Sequence, residues 1–147
     1  MNTQVTTKFK IYKPSNEVFE AIIDPLKIGN FWFSSSSESW EQGKSITLRY
    51  DEYEAEGIIN VLKVEKNKEI KFSWGEESNE VTVVTITLKE LDNTSTIIEV
   101  NESGLNEHDP EIVSKMLGQK EGWVYMLTCL KGYLENGICD LRASLIH

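Results

Sequence analysis

Residues able to do chemistry are present in this chain, but their spacing assembles no catalytic group. Gly43-Lys44-Ser45 has the ending of a phosphate-binding loop, yet the upstream glycine position holds Glu38. A strand-like alternation follows it, so no helix N-terminus is available to receive a phosphate. Neither a G-x-S-x-G elbow nor a G-x-G-x-x-G turn occurs. The histidines are His108 and the terminal His147, and neither has a cysteine or carboxylate at metal-ligand spacing, so no metal is expected. A dyad of Cys129 with His108 would hold its members about two thirds of a long helix apart. Carboxylates crowd Asp51, Glu52, Glu54 and Glu56, and again Glu76, Glu77 and Glu80. Their position beside turns predicts solvated edges, which discourage sheet-to-sheet pairing. Glu102 is the acid hardest to dismiss, although the sequence shows no partner for it. No catalytic residue and no cofactor are expected, and an enzyme working through a buried acid ranks behind the binding roles below.

What remains is aromatic and apolar. Trp32, Trp40, Trp74 and Trp123 come from different elements, with Phe31, Phe33 and Tyr50 beside them. Inward strand positions Leu48, Ile59, Val84 and Ile86 would complete one side of a chamber. Met116, Gln119, Trp123 and Met126 would supply the helical side, the methionines as adaptable wall material. Gln119 falls inside an apolar stripe, where an unpaired amide costs about 1–3 kcal/mol. Either it bonds to neighbouring backbone or sits at a rim, or it orients a ligand. An empty hollow of about 300 Å³ would cost about 7 kcal/mol at about 24 cal/mol per Å³. That approaches the whole stability of a small domain. Any large chamber must therefore be filled, wet or collapsed.

The elements that would position these residues read clearly. Val5, Thr7, Phe9 and Ile11 alternate, giving a first strand that ends before Pro14. Ser15 then caps a helix to about Ile23, and a short helical turn covers Leu26 to Phe31. Ser34 to Ser37 reads as a surface loop. Strands follow at Ile46–Tyr50, Tyr53–Val64, Ile70–Trp74, Val81–Leu91 and Thr96–Val100, with Gly57 marking a bulge or a close approach. Gly75 to Asn79 makes one turn and Asp92-Asn93 another. Connections this short require antiparallel pairing. Asp109-Pro110 starts, and Asn136-Gly137 stops, a last helix of about 40 Å. Ile112, Met116, Trp123, Met126, Leu127, Leu130 and Leu134 form its apolar stripe. The expected fold is α+β: a curved antiparallel six-stranded sheet wrapped around a long C-terminal helix, with two short helical segments after strand 1.

Composition narrows the partners. The 147 residues suit one domain, and 24 acidic against 15 basic side chains give a net charge of -9. Such a surface repels phosphate backbones and anionic lipid, so neither nucleic acid nor membrane is expected. The longest apolar run, Trp123 to Leu127, is far short of the roughly 20 residues a span requires. The polar N-terminus lacks a signal core, so the chain is expected in the cytoplasm, with Cys129 and Cys139 as reduced, partly buried thiols.

Asn16-Glu17-Val18-Phe19-Glu20-Ala21-Ile22, then Asp24-Pro25 and Phe31-Trp32-Phe33, resembles the N-terminal signature of the START-like, or SRPBCC, helix-grip superfamily. Glu56-Gly57-Ile58-Ile59 before Ile70-Lys71-Phe72-Ser73-Trp74 fits it, as does Glu121-Gly122-Trp123 followed by Leu127, Leu130 and Tyr133-Leu134-Glu135. The ordered set is most similar to the branch named after the activator of the ninety-kilodalton heat-shock chaperone's ATPase. Phe31 departs from it, standing where tryptophan often precedes Trp32. The resemblance implies a cavity between sheet and helix, in a superfamily whose members bind lipids, sterols, hormones or polyketides. It implies a small hydrophobic molecule as first partner and a chaperone or stress partner as the alternative, in a monomer or weak homodimer. The eukaryotic chaperone activators carry a further N-terminal domain, for which 147 residues leave no room.

Overall fold

Alternation along β1 (Val5–Ile11) buries Val5, Thr7 and Ile11 against the interior. The computed structural model describes residues 2–75 and 81–146. Next comes α1 (Ser15–Ile23), which buries Val18, Phe19, Ala21 and Ile22. The expected Ser15 cap does not form. Instead the Ser15 N–H and hydroxyl both donate to Glu90 Oε1, at 3.0 and 3.3 Å. A carboxylate from a distant strand thus serves the positive end of the helix dipole. The second helical segment is a 3₁₀ turn, Ile28–Asn30.

The remaining strands are β2 (Ser35–Ser36), β3 (Ser45–Tyr50), β4 (Ala55–Glu65), β5 (Glu69–Trp74), β6 (Thr82–Asp92) and β7 (Ser95–Ser103). They form one curved antiparallel sheet in the order β1-β7-β6-β5-β4-β3-β2. The sheet has seven strands, not the six expected. The extra one lies in the serine stretch read as a loop, pairing Ser35 with Arg49 and Ser36 with Leu48. Two residues are too few for alternation to mark a strand. Gly57 carries no bulge: it pairs in register with Leu48, and a Cβ there would meet nothing within 4 Å. The irregularity falls between Val61 and Lys63. One extra residue there returns Val64 to the inward side shared by Ile59 and Val61. The turn expected at Gly75 to Asn79 lies mostly outside the described residues.

The long helix, α2 (Ile112–Asn136), lies against the inward face of the sheet and buries Trp123, Met126, Leu127 and Leu130. Met116 and Leu134 are only partly buried against this core. Asp109 does not cap the helix directly; its Oδ1 accepts the Glu111 N–H at 2.8 Å in the preceding turn. Gly137 closes the helix as expected, with φ 68° and its N–H bonded to Tyr133 O at 2.9 Å. Lys120 and Lys131 of α2 donate to the carbonyls of Thr6 and Lys10 on the edge strand β1. The helix thereby covers an edge that would otherwise invite pairing. Among the described residues no helix is long and apolar enough to cross a membrane.

Candidate functional site

Three strand ends meet under the middle of α2. The inward stripes of β5, β6 and β7 continue past their aliphatic residues to Trp74, Thr82 and Glu102. Glu102 is 1% exposed. Trp123 Nε1 donates to its Oε1 at 2.9 Å and Trp74 Nε1 to its Oε2 at 3.0 Å. The Thr82 hydroxyl lies 2.6 Å from Oε2, and Gln119 Nε2 reaches both oxygens, at 2.8 and 3.1 Å. Gln119 and Trp123 are i and i+4 on α2, hence on one face. Indole and amide N–H groups only donate, so the set suits an acceptor on both oxygens. It also fixes the Gln119 amide: its nitrogen faces Glu102.

Above this floor lies a hollow of about 290 Å³. Its walls include Phe31, Trp32, Phe33, Tyr50, Trp74, Gln119, Trp123 and Met126, together with Tyr53, Gly122, Tyr125 and Leu145. Trp74 and Trp123 stack at 5.2 Å between centroids and 22° between planes, while Trp32 meets Trp123 edge-on at 5.7 Å. Phe33 stands edge-on to both Tyr50 and Trp74. Burial pushes the Tyr50 phenol up to about 12, so it keeps its proton at neutral pH. A dry void of this size would forfeit about 7 kcal/mol. The half-exposed Tyr53 and Leu145 at its mouth let solvent in, which avoids that loss.

The segment after α2 folds back over this mouth. Arg142 donates through Nε to Trp32 O at 2.7 Å and through its terminal nitrogens to Glu52 at 2.6 and 3.0 Å. Its guanidinium also lies 5.3 Å from the Tyr50 ring centroid. The Arg142 bonds, with a backbone bond and Ser34, hold the Glu52 carboxyl down at about 2. Tyr125 bonds Leu141 O, and Tyr53 bonds Leu145 O at 3.0 Å. Cys129 is buried beneath this strap, and desolvation pushes its thiol up. Cys139 is exposed rather than partly buried.

Eight of the residues expected to contact a ligand line the hollow: Phe31, Trp32, Phe33, Tyr50, Trp74, Gln119, Trp123 and Met126. Trp40, Leu48, Ile59, Val84 and Ile86 do not; each is at most 2% exposed, in the packed core. Met116 lies a turn beyond the walls. Glu102 has partners on three sides, contrary to the reading that nothing pairs with it. The signal was there: Thr96, Ile98, Val100 and Glu102 keep one parity. Arg142 and the tail carried no periodic signal at all. Asp51, Glu52, Glu54 and Glu56 are exposed, as expected of solvated edges. Glu76, Glu77, Glu80 and His147 lie outside the described residues.

The model of the activator of Hsp90 ATPase homolog 1-like protein family matches residues 13–135. The crystal structure of protein SSP2350 from Staphylococcus saprophyticus is 49% identical, with a TM-score of 0.81 over 92% of this chain and 94% of that one. DynU16, from the dynemicin biosynthetic locus, is 23% identical at a TM-score of 0.80, covering 95% of this chain but 49% of its own. The Aha1 dimer from Colwellia psychrerythraea is 19% identical at 0.78, covering 91% and 97%. These last two share the fold. No curated protein matches.

Proposed function

The chain belongs to the activator of Hsp90 ATPase homolog 1-like family, and on that premise we propose that it binds a small hydrophobic or aromatic molecule between α2 and the sheet. The observation that carries this reading is the aromatic hollow of about 290 Å³ with Gln119 held in its wall. Apolar walls with a few fixed polar groups are the usual build of a ligand site. Trp32, Trp74 and Trp123 would contact the ligand. With its nitrogen committed to Glu102, Gln119 leaves its amide oxygen to accept a bond from it. Titration with a hydrophobic library should give saturable tryptophan quenching. Trp123→Ala should weaken binding about tenfold, as loss of a buried aromatic anchor does. Unchanged affinity in that variant would remove the proposed wall.

A second reading, a protein-interaction module with a chaperone as partner, draws on the outer face of α2. Val113, Leu117 and Val124 are 56%, 66% and 38% exposed there, at helical spacing. Stimulation of a purified ninety-kilodalton chaperone's ATPase, lost in Leu117→Glu, would favour it; no stimulation by the wild type would dismiss it.

A further inference from the structure

Glu102 is sealed from water, yet no Lys, Arg or His among the described residues pairs with it; its partners are two indoles, an amide and a hydroxyl. Neutral donors satisfy its lone pairs but leave its charge uncancelled. Three of those donors, Trp74, Trp123 and Gln119, also line the hollow. The carboxylate therefore stands one side chain behind the wall, and a ligand that displaces water from the hollow meets its field with little screening. An indole that donates its N–H to an anion has a more electron-rich face. Trp74 and Trp123 present such a polarised pair, stacked at 5.2 Å.

The rim does not oppose it. Arg142 and Glu52 pair there and cancel each other's charge, while Arg49, Asp51 and Glu56 lie together on the outward side of β3 and β4. Arg142 itself rests 5.3 Å from the Tyr50 centroid, so one aromatic face at the mouth already receives a cation. The π-faces and the uncompensated buried anion behind them together attract positive charge and repel a carboxylate.

We propose that the hollow, read as a ligand site, selects an organic cation: an ammonium group on an apolar or aromatic body. Three probes of similar size test it by tryptophan quenching and calorimetry: benzyltrimethylammonium, its neutral isostere neopentylbenzene, and phenylacetate. The cation should bind about tenfold more tightly than the neutral isostere, with phenylacetate weakest. In Glu102→Gln the tenfold advantage of the cation over neopentylbenzene should be lost, read as the ratio of the two affinities because the variant also alters the donors that hold the wall. Trp123→Phe, which keeps a ring but loses the N–H, should cut the preference about threefold, and serves if Glu102→Gln fails to fold. Equal binding of the cation and its isostere, tighter binding of phenylacetate, or a preference that survives both variants would overturn the proposal while leaving an apolar ligand site standing. Binding by none of the three probes, nor by the hydrophobic library, would remove the site and this inference with it.

Discussion

Two glutamates bracket the hollow, and they are held in opposite ways. Glu102 at the floor is 1% exposed and fixed by neutral donors from two strands and the long helix. Glu52 at the mouth is 43% exposed and held by the Arg142 guanidinium from the tail and by the Ser34 hydroxyl. The floor joins elements that must be together for the molecule to be folded. The mouth joins a strand-connecting turn to a segment that crosses no sheet. Floor interactions therefore set the stability of the whole, and mouth interactions set whether the strap is closed. The contrast predicts how each part should fail.

The largest effect should come from the floor. Glu102→Ala leaves the indole N–H groups of Trp74 and Trp123 and the Gln119 amide facing a cavity without an acceptor. At about 1–3 kcal/mol for each stranded buried donor, the loss should reach about 3 kcal/mol or more. Urea unfolding followed by tryptophan fluorescence measures it. A loss below about 1 kcal/mol would mean that water replaces the carboxylate, and the floor would then not be sealed.

At the mouth the same kind of change should be mild globally and marked locally. Arg142→Ala should cost about 1–2 kcal/mol, less than the floor variant, because its partner Glu52 is solvated although the Arg142 side chain is itself only 10% exposed. Backbone amides of residues 141–146 should nevertheless exchange faster, while those of β5 to β7 keep their protection. Equal acceleration in strap and sheet would erase the distinction between the two regions.

How much of this was legible beforehand follows from the same division. The floor was written in parity: inward alternation on β7 runs through Thr96, Ile98 and Val100 to Glu102, and on β5 through Ile70 and Phe72 to Trp74. Trp74 was already read on that face, and extending the β7 alternation by one step places Glu102 beside it. Reading Glu102 as unpaired came from looking along the chain, whereas its partners are 17 to 28 residues away. The eight wall residues were legible as aromatic or helical-stripe positions. Trp40 was not separable from them, because its burial depends on Phe72 and Trp32 meeting it in three dimensions. β2 is too short for any period, and Arg142 sits in a tail with none. The helix stop at Gly137 was readable because a left-handed residue has a sequence signature.

Acidity should separate the two glutamates further. The folded Glu52 carboxyl lies near 2, below its unfolded value of 4.5. Its contribution is therefore complete above about pH 4.5 and is lost progressively as pH falls towards about 2. Strap closure should weaken across that window in the wild type. In Glu52→Gln the strap should already be loosened at pH 7 and should change little between pH 4.5 and pH 3. Limited proteolysis within residues 138–146 by an acid-stable protease reads this directly. An identical pH response in the two proteins would assign the closure to other groups.

The smallest effect is also the most selective. Cys139 is exposed and should label with a thiol reagent at the rate of a free cysteine, whereas Cys129 is buried with its thiol pushed up by desolvation. Tyr125 and Arg142, the residues that hold the strap, both bear on that thiol. Strap opening is therefore the shortest route by which reagent reaches it. Arg142→Ala should speed Cys129 labelling by about tenfold with Cys139 unaffected, if the closed state is favoured by about 1.4 kcal/mol. Were Cys129 to label only when the whole domain unfolds, its rate would follow Glu102→Ala instead. The thiol thus reports which of the two glutamates governs entry to the interior.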